Sequence, residues 1–380
     1  MLAHAKFWPL MAVVSFALLM DYFIYGVVTT LADHSRGHAT GEGQFGLLHG
    51  GYVVGVLTAA PLFGYLGARI GLKRSMICGV ALSAAAMTLF GIAPGSALLF
   101  LAQLLQGAAA ATTWTAGLSL VAQHHVERRV EMMGYALIGS TAGSLLGDAV
   151  GGLLRQIGGD QLLFLVTGAL VAIDAGLRVF VLPSDRTGRQ SFAGLSALLL
   201  DKSVLMSAAG VGLAAIGWSI VDTLLPARLG RAGVAPPFIG LIFVAASIVY
   251  GVCAPLVEWA SKRAPIGRVI AGGTLAMAIA LPLLGMVQGI IATAAAVCVV
   301  SICYAFMLDP TTAELGNAVD RRGMTCYSAV YAVFNVVYAM GMLAIDVTSS
   351  VVAARLDSPQ VLLCVSIAMI FATPFLWRRA

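Results

Sequence analysis

Long apolar segments separated by short polar ones recur along the whole chain. Each apolar segment has about 20 residues, enough for a helix to cross a hydrocarbon layer roughly 30 Å thick. A helix satisfies its own backbone hydrogen bonds in lipid, so the pattern predicts an all-α membrane protein. The twelve predicted transmembrane helices are 7–31, 44–66, 75–93, 97–122, 132–154, 162–182, 203–227, 237–257, 269–287, 289–315, 324–350 and 360–377.

The composition agrees with this pattern. Of the 380 residues, 60% are hydrophobic and only 10% are charged, which excludes an ordinary soluble domain. The first apolar segment is too long for the core of a signal peptide. The six cysteines lie in apolar segments without a CxxC pair, so we expect neither a disulfide nor a metal site.

Basic residues cluster in alternate loops, and this asymmetry predicts the orientation. Seventeen of the 22 lysines and arginines fall on one side of the predicted topology. By the positive-inside rule, both termini are expected in the cytoplasm. The net charge of +5 therefore reflects topology, and we expect no nucleic acid as a partner.

An internal repeat predicts two domains. "APLFGYLGARIGLKR" (60–74) and "APLVEWASKRAPIGR" (254–268) both run from Ala-Pro-Leu into a basic turn, and they start 194 residues apart. We therefore predict two six-helix bundles, related by a pseudo-twofold axis along the membrane normal, with a cleft between them. The N-terminal bundle is 1–182, the cytoplasmic linker is 183–202 and the C-terminal bundle is 203–380.

Eight of the 17 acidic residues lie within or at the edges of the apolar segments. Asp174 and Arg178 are spaced i, i+4, which predicts a local ion pair. Glu258 and Glu314 lie near the cytoplasmic ends of their helices, where we expect loop arginines to reach them. The acids with no basic residue in a predicted span to pair with are Asp21, Asp148, Asp222, Asp309 and Asp346.

An acid in a membrane without a cation partner is a candidate for binding a proton or a cationic ligand. The alternative is that each acid is protonated and hydrogen-bonded between helices. Aromatic residues accompany several acids, and aromatic faces beside carboxylates suit an organic cation. A packing seam between helices is the alternative for these aromatic residues. The polar and aromatic neighbours at helical spacing are Tyr25, Trp218, Tyr331, Asn335 and Tyr338.

The segment "GYLGARIGLKR" (64–74) resembles the signature loop of the major facilitator superfamily, G-x-L-x-D-R-x-G-R-K-R. The matching residues that we single out are Gly64, Arg69, Gly71, Lys73 and Arg74. Ala68 stands where the family has an aspartate that belongs to an interdomain latch.

The fifth predicted helix resembles the drug/proton antiporter signature G-x8-G-x3-G-P-x2-G-G. Its glycines correspond to Gly134, Gly143, Gly147, Gly151 and Gly152, and Asp148 replaces the proline. Glycines at this spacing allow close helix packing. We expect them to contact a neighbour across the boundary between the two halves.

Other positions resemble the vesicular amine transporters of this superfamily. "LAQLLQG" (101–107) resembles R-x-x-Q-G, with Gln106 matching and Gln103 in place of the arginine. Asp21 matches an aspartate of the first helix, which implies a role with cationic substrates. Asp309, in "MLDPTTAELGNAVDRR" (307–322), matches an essential aspartate, whereas Asn335 replaces another.

The resemblance implies a proton-coupled secondary active transporter that exports a small organic cation (an amine, a polyamine or a drug) by alternating access. It implies no enzymatic activity, no cofactor and a monomer in the plasma membrane, or in the inner membrane of a bacterium. Its partners would be the substrate, protons and the lipid bilayer. A metal chelate or a zwitterion is an alternative substrate, and a non-transporting receptor or assembly factor is an alternative from another class. An intramembrane aspartyl protease is disfavoured because Leu145 stands where its G-x-G-D motif requires glycine.

Overall fold

The computed structural model describes residues 7–34, 43–92, 96–183, 195–352 and 358–378, and all regular structure in these ranges is α-helical. Within them, side chains are not described for residues 7, 29–34, 43–49, 96, 142, 144, 145, 227, 236, 237, 346–352, 358, 359 and 378.

Twelve helices follow one another in the described ranges. They are α1 (Phe7–His34), α2 (Gly43–Ile70), α3 (Leu72–Ile92), α4 (Ser96–His124), α5 (Arg129–Phe180), α6 (Leu195–Leu199), α7 (Lys202–Arg231), α8 (Pro236–Arg263), α9 (Ile266–Met286), α10 (Ile290–Arg321), α11 (Tyr327–Val352) and α12 (Ser358–Arg378).

Eleven helices in the described ranges are long and apolar enough to cross a membrane. The long helix α5 covers both the fifth and the sixth predicted span. Its dihedral angles leave the helical region at Gly158 and Gly159, where Gly159 has a φ of 67° that favours glycine. Large apolar side chains such as Phe180 and Ile291 are more than 80% exposed, as expected for a surface that faces lipid. The chain is therefore a multi-pass helical membrane protein, and the count of twelve spans and the position of the termini stay predictions.

A glycine and a polar side chain fix two of the helix boundaries. Gly71, in the signature loop, has a φ of 97° and separates α2 from α3. Asp201 caps α7 by accepting a hydrogen bond of 2.9 Å from the backbone N–H of Ser203. The guanidinium of Arg322 also donates to Asp201 at 2.7 Å, and this contact holds the pKa of Asp201 below its usual value.

The chain divides into two compact units, and each includes a short segment from the half of the sequence that mainly forms the other unit. Unit 1 contains Met1–His124, Ala136–Ser191 and Cys326–Val336, so the first turns of α11 pack there. Unit 2 contains His125–Tyr135, Phe192–Thr325 and Val337–Ala380, so the first turns of α5 pack there. The predicted domain boundaries at 182 and 203 stay predictions.

In unit 1, glycines of α5 bring its backbone against that of α1. A Cβ atom built at Gly139 or Gly147 would clash with the backbone oxygen of Ser15 or Phe23, and one at Gly143 would lie 2.8 Å from the oxygen of Leu19. The expectation that Gly143 and Gly147 face the opposite half is therefore wrong, since both contact α1 of the same half.

The last two glycines of this motif, Gly151 and Gly152, differ from that pair. Gly151 is buried, whereas a Cβ atom at Gly152 would meet no atom within 4 Å.

Candidate functional site

Asp21 lies on α1, and α4 of unit 1 surrounds it with neutral donors. Its Oδ1 accepts a hydrogen bond of 3.2 Å from Nε2 of Gln106, and its Oδ2 accepts one of 3.1 Å from the indole N–H of Trp114. Tyr52 on α2 contributes a further side-chain hydrogen bond. All of these side chains are buried, and the described groups that hydrogen-bond to the carboxylate are neutral, whereas Arg178 acts on it only through its charge.

Aromatic rings cover the Asp21 site. Tyr25, one turn along α1 and half-buried, lies with its ring centroid 4.9 Å from that of Tyr52. Trp114 stacks on Phe334 of α11, with centroids 5.8 Å apart and an interplanar angle of 16°. The sequence places Tyr25 near Asp21, and the structure adds Trp114 to the same site.

The first turns of α11 are anchored on α4 in unit 1. The side-chain amide of Asn335 donates to Oγ1 of Thr115 at 2.8 Å and to the backbone oxygen of Tyr331 at 3.1 Å. Tyr331 is fully buried. Asn335 therefore acts as a contact between helices in this structure, and a role for either residue in substrate binding stays a prediction.

Asp309 lies on α10 of unit 2 and is fully buried, with 0% exposure. Its Oδ1 accepts a hydrogen bond from the hydroxyl of Tyr250 on α8. Its Oδ2 has no hydrogen-bond partner among the described residues. The carboxylate oxygens thus have one neutral donor between them, which is an unusual state for a buried acid.

A chain of aromatic residues extends from Asp309 through unit 2. The ring of Tyr250 lies 5.8 Å from that of Tyr304, whose hydroxyl is 2.8 Å from the hydroxyl of Tyr338. Trp218 of α7 stacks on Tyr304 with centroids 4.9 Å apart. Asp222 is half-buried one turn further along α7. The structure thus groups Asp309, Tyr338 and Trp218 of the predicted site within unit 2.

Pro310 interrupts the hydrogen-bond ladder of α10 directly after Asp309. A proline at this position leaves the backbone oxygen of Phe306 without its helical donor. Gly273 of α9 lies against this group, and a Cβ atom there would be 3.0 Å from the Phe306 oxygen. A glycine in α9 therefore allows close approach at the broken turn.

The structure gives less detail for two further candidate acids, Asp148 and Asp346. Asp148 is half-buried on α5 in unit 1, directly after Gly147. Asp346 falls within α11, but its side chain lies outside the described residues. Among the described residues, no group of three or more His, Cys, Asp and Glu side chains is arranged to hold a metal ion.

Asp174 and Arg178 form the predicted ion pair, which is confirmed. Their side chains are 2.6 Å apart and fully buried on α5. The guanidinium also donates to Oγ1 of Thr113 on α4 and to the backbone oxygen of Met76 on α3, both at 2.9 Å. Arg178 therefore connects three helices of unit 1, and its charge is compensated locally.

A buried arginine anchors the first turn of α5 in unit 2. Arg129 is 2% exposed and donates to Oδ2 of Asp320 at 2.7 Å and to Oδ1 of Asn317 at 2.5 Å. Both acceptors lie near the end of α10. A charge-assisted pair with one buried partner gives a defined docking geometry for this turn.

The two acids near the helix ends extend the same ionic cluster. Glu258 of α8 accepts a hydrogen bond of 3.0 Å from the backbone N–H of Glu131 and pairs with Lys262 at 2.9 Å. Glu314 pairs with Arg321 at 2.6 Å, as expected.

The signature loop contacts α11 without the family aspartate. The hydroxyl of Ser328 donates to the backbone oxygen of Gly64 at 2.7 Å, and a Cβ atom on Gly64 would be 2.7 Å from Cβ of Ala332. Ala68 is buried. A neutral hydrogen bond and close packing therefore connect α2 with α11 in unit 1.

The basic residues of this loop have separate contacts. The guanidinium of Arg69 lies 4.4 Å from the ring centroid of Tyr65. Lys73 donates to the backbone oxygen of Leu182 at 2.8 Å, which holds α3 against the end of α5. Arg74 is exposed.

Sequence reasoning missed three residues of the site, namely Trp114, Tyr250 and Arg129. A single tryptophan in an apolar helix needs an acceptor for its indole N–H, and this requirement is a usable signal for Trp114. Tyr250 lies one turn before the Ala-Pro-Leu of the second repeat copy. Arg129 gives no such signal, because it adjoins Arg128 in what reads as an ordinary basic loop.

Comparison with known proteins identifies similar transporters. The chain is 28% identical over 346 residues to the bovine synaptic vesicular amine transporter and 26% identical over 344 residues to the human chromaffin granule amine transporter. Each alignment covers 87% of this chain, but the chain spans only 65% and 64% of the respective relative.

Solved structures show the same fold. The structure of the transporter FucP in the outward conformation matches with a TM-score of 0.70 and 17% identity, and the match covers 99% of both chains. The model of the Major Facilitator Superfamily matches residues 11–345. With the helical architecture and the sequence relatives, this match shows that the chain belongs to the Major Facilitator Superfamily, whose members are transporters and not enzymes.

Proposed function

We propose that the chain is a proton-coupled secondary active transporter that exports a small organic cation, such as an amine, a polyamine or a drug, by alternating access. The observation that carries this proposal is the state of Asp309, which is fully buried with one neutral donor and one unpartnered oxygen. A carboxylate in this setting requires a proton or a cation, because a buried charge without compensation is costly. When the proton and the organic cation compete for one carboxylate, binding of one releases the other, and this competition allows the two to be exchanged across the membrane.

Asp21 supports the same function in unit 1. Its described hydrogen-bond donors are all neutral, so among them no cation neutralises the carboxylate by direct contact. The ion pair of Asp174 and Arg178 provides a contrast, since there a buried acid is fully compensated. Asp21 and Asp309 are therefore the carboxylates that we assign to substrate or proton binding.

The aromatic residues of unit 2 support the substrate class. Trp218, Tyr304 and Tyr250 form a chain of ring contacts that ends at the hydroxyl bound to Asp309, and aromatic faces stabilise organic cations. The similar vesicular and chromaffin granule proteins are named as amine transporters. Export, a monomeric state and location in the plasma membrane, or in the inner membrane of a bacterium, complete the proposal.

The test is uptake into proteoliposomes with an acidic interior. The probe is 1-methyl-4-phenylpyridinium, because weak bases accumulate in acidic vesicles without a carrier and a permanent cation does not. The wild-type protein should concentrate the probe, and collapse of the proton gradient should stop uptake. Protein-free liposomes provide the background.

Asp309→Asn should abolish concentrative uptake while leaving thermal unfolding unchanged. Asp160→Asn is the matched control, since the side chain of Asp160 is 56% exposed and pairs with Arg155 at 2.6 Å. Wild-type uptake by Asp309→Asn would contradict the assignment of this acid. Exchange of a zwitterion or a metal chelate in place of the cation would identify the alternative substrate class, and binding without flux would identify a receptor.

A further inference from the structure

The carboxyl group of Asp309 faces a position where α5 has no side chain. Gly134 lies in the second turn of α5, and a Cβ atom built there would stand 2.6 Å from Oδ2 of Asp309. It would also stand 2.7 Å from Cβ of Ala254 on α8. Real Cβ atoms essentially never approach other atoms so closely, so the missing side chain provides the space that the carboxyl group occupies.

The oxygen in this space is the unpartnered one. Oδ1 of Asp309 accepts from Tyr250, whereas Oδ2 has no partner among the described residues. A proton bound to the carboxyl group is therefore expected on Oδ2, because a proton on Oδ1 would oppose the donated hydroxyl. This proton would lie directly against the Cα of Gly134.

No charged side chain is among the groups that interact with Asp309 in the described part of unit 2. Tyr250 and Cys253 approach it from α8, and Tyr304 does so from its own helix. Tyr338 of α11 reaches Tyr304 through the hydroxyl contact of 2.8 Å. From α5, the contact is the backbone at Gly134.

The first turns of α5 are held in place by the ionic cluster. Arg129 binds Asp320 of α10, and the backbone N–H of Glu131 binds Glu258 of α8. Gly134 lies within one and a half helical turns of both anchors. The docked turns therefore hold the glycine over the carboxyl group.

We propose that Gly134 is a positioning residue for Asp309, which lets the docked α5 close over the unpartnered carboxyl oxygen and retain the proton there. This inference rests on the proposed function. It gives the first glycine of the antiporter signature a part in proton retention, in addition to helix packing.

A thermal double-mutant cycle tests the contact directly. All variants carry Ala254→Gly, which removes the second close contact. Gly134→Ala should then lower the unfolding midpoint by roughly 2–6 °C, because overpacking is costly. In the Asp309→Ala background the same substitution should lower the unfolding midpoint by less than about 1 °C, since the carboxyl group is absent.

Gly143→Ala is the matched control for this cycle. The three atoms nearest to its Cβ atom would belong to Tyr22, Leu19 and Phe23 of α1, and none of them is a carboxyl oxygen. Its cost should be the same with and without Asp309→Ala. The inference would be overturned if Gly134→Ala lowered the unfolding midpoint equally with Asp309 and with Asp309→Ala. Failure of the Gly134→Ala variant to fold in both backgrounds would overturn it as well.

The pH profile of cation uptake is the second readout. Gly134→Ala with Ala254→Gly should move the profile by on the order of one pH unit, because the carboxyl group must leave its position. Gly143→Ala should lower uptake without moving the profile. An unmoved profile for the Gly134 variant would refute the proton-retaining role. If the wild-type protein transports no cation, the proposed function fails, while the thermal cycle still decides the contact between Gly134 and Asp309.

Discussion

Replacing Asp21 with asparagine and with alanine separates its charge from its hydrogen bonds. In the native chain, Gln106 and Trp114 each donate to one carboxylate oxygen. Asparagine keeps an acceptor for the indole N–H and adds an amide donor. Gln106 can accept from that donor after a half-turn of its own amide, because its Oε1 has no other partner among the described residues. Asp21→Asn should therefore remove the charge and keep both contacts.

The magnitudes follow from counting buried donors. Alanine removes the acceptor of three buried donors, which are the indole N–H of Trp114, the amide of Gln106 and the hydroxyl of Tyr52. Each orphaned donor costs about 1–3 kcal/mol, so Asp21→Ala should lower the free energy of unfolding by about 3–9 kcal/mol. Asp21→Asn should lower it by less than about 1 kcal/mol, because the rotated amide of Gln106 gains a partner for Oε1 and loses one for Nε2, so the number of unpartnered buried atoms does not change.

Thermal unfolding and proton-driven uptake of the cation together check this prediction. Asp21→Asn should unfold like the wild type and lose concentrative uptake, whereas Asp21→Ala should lose both stability and uptake. In a Gln106→Leu background, Asp21→Asn should become destabilising, because its amide then lacks an acceptor. Normal uptake by Asp21→Asn would refute the role of the charge. Equal destabilisation by asparagine and alanine would refute the hydrogen-bond reasoning.

Three other perturbations address different parts of the chain. Asp148→Asn should flatten the pH dependence of uptake, whereas Asp148→Pro, which restores the signature, should keep the fold and change coupling; an unchanged profile for the asparagine variant would count against a role in proton exchange. Arg129→Met leaves Asp320 without its buried partner and should raise amide exchange in residues 129–135 by about tenfold or more, since charged hydrogen bonds contribute about 1.5–3 kcal/mol. Arg322 lowers the pKa of Asp201 below its usual 3.8, so this cap stabilises α7 fully above about pH 4 and less as the pH falls through the lowered pKa. After correction for the intrinsic pH dependence of exchange, the amide exchange rate at the start of α7 should rise only in acid, and a corrected rate that does not change with pH would contradict this.

The helices could be predicted well because hydrophobic length is a property of local sequence. The predicted span 203–227 falls within α7, for example. The sequence also predicted a break between the spans 132–154 and 162–182, and the non-helical dihedral angles of Gly158 and Gly159 fall inside that gap. The short helix α6 was missed, since five residues are too few to show a helical period.

The site was predictable only in part. An acid in an apolar segment is visible in the sequence, so Asp21 and Asp309 could be found. Their partners Trp114 and Tyr250 could not be assigned, because hydrogen bonds between helices depend on which helices are neighbours. The same reason explains the error over Gly143: its spacing reveals a close-packing face, but α1 as its neighbour follows only from the tertiary fold.

The glycine contacts between α1 and α5 have an electrical consequence. Gly139, Gly143 and Gly147 meet the α1 backbone on both sides of Asp21, so this residue cannot shift along α5 without separating the two backbones. Any displacement of the Asp21 charge through the field of an energised membrane must therefore carry both helices with it. A full unit charge crossing 100 mV contributes about 2.3 kcal/mol, so the voltage acts on α1 and α5 as one mechanical element.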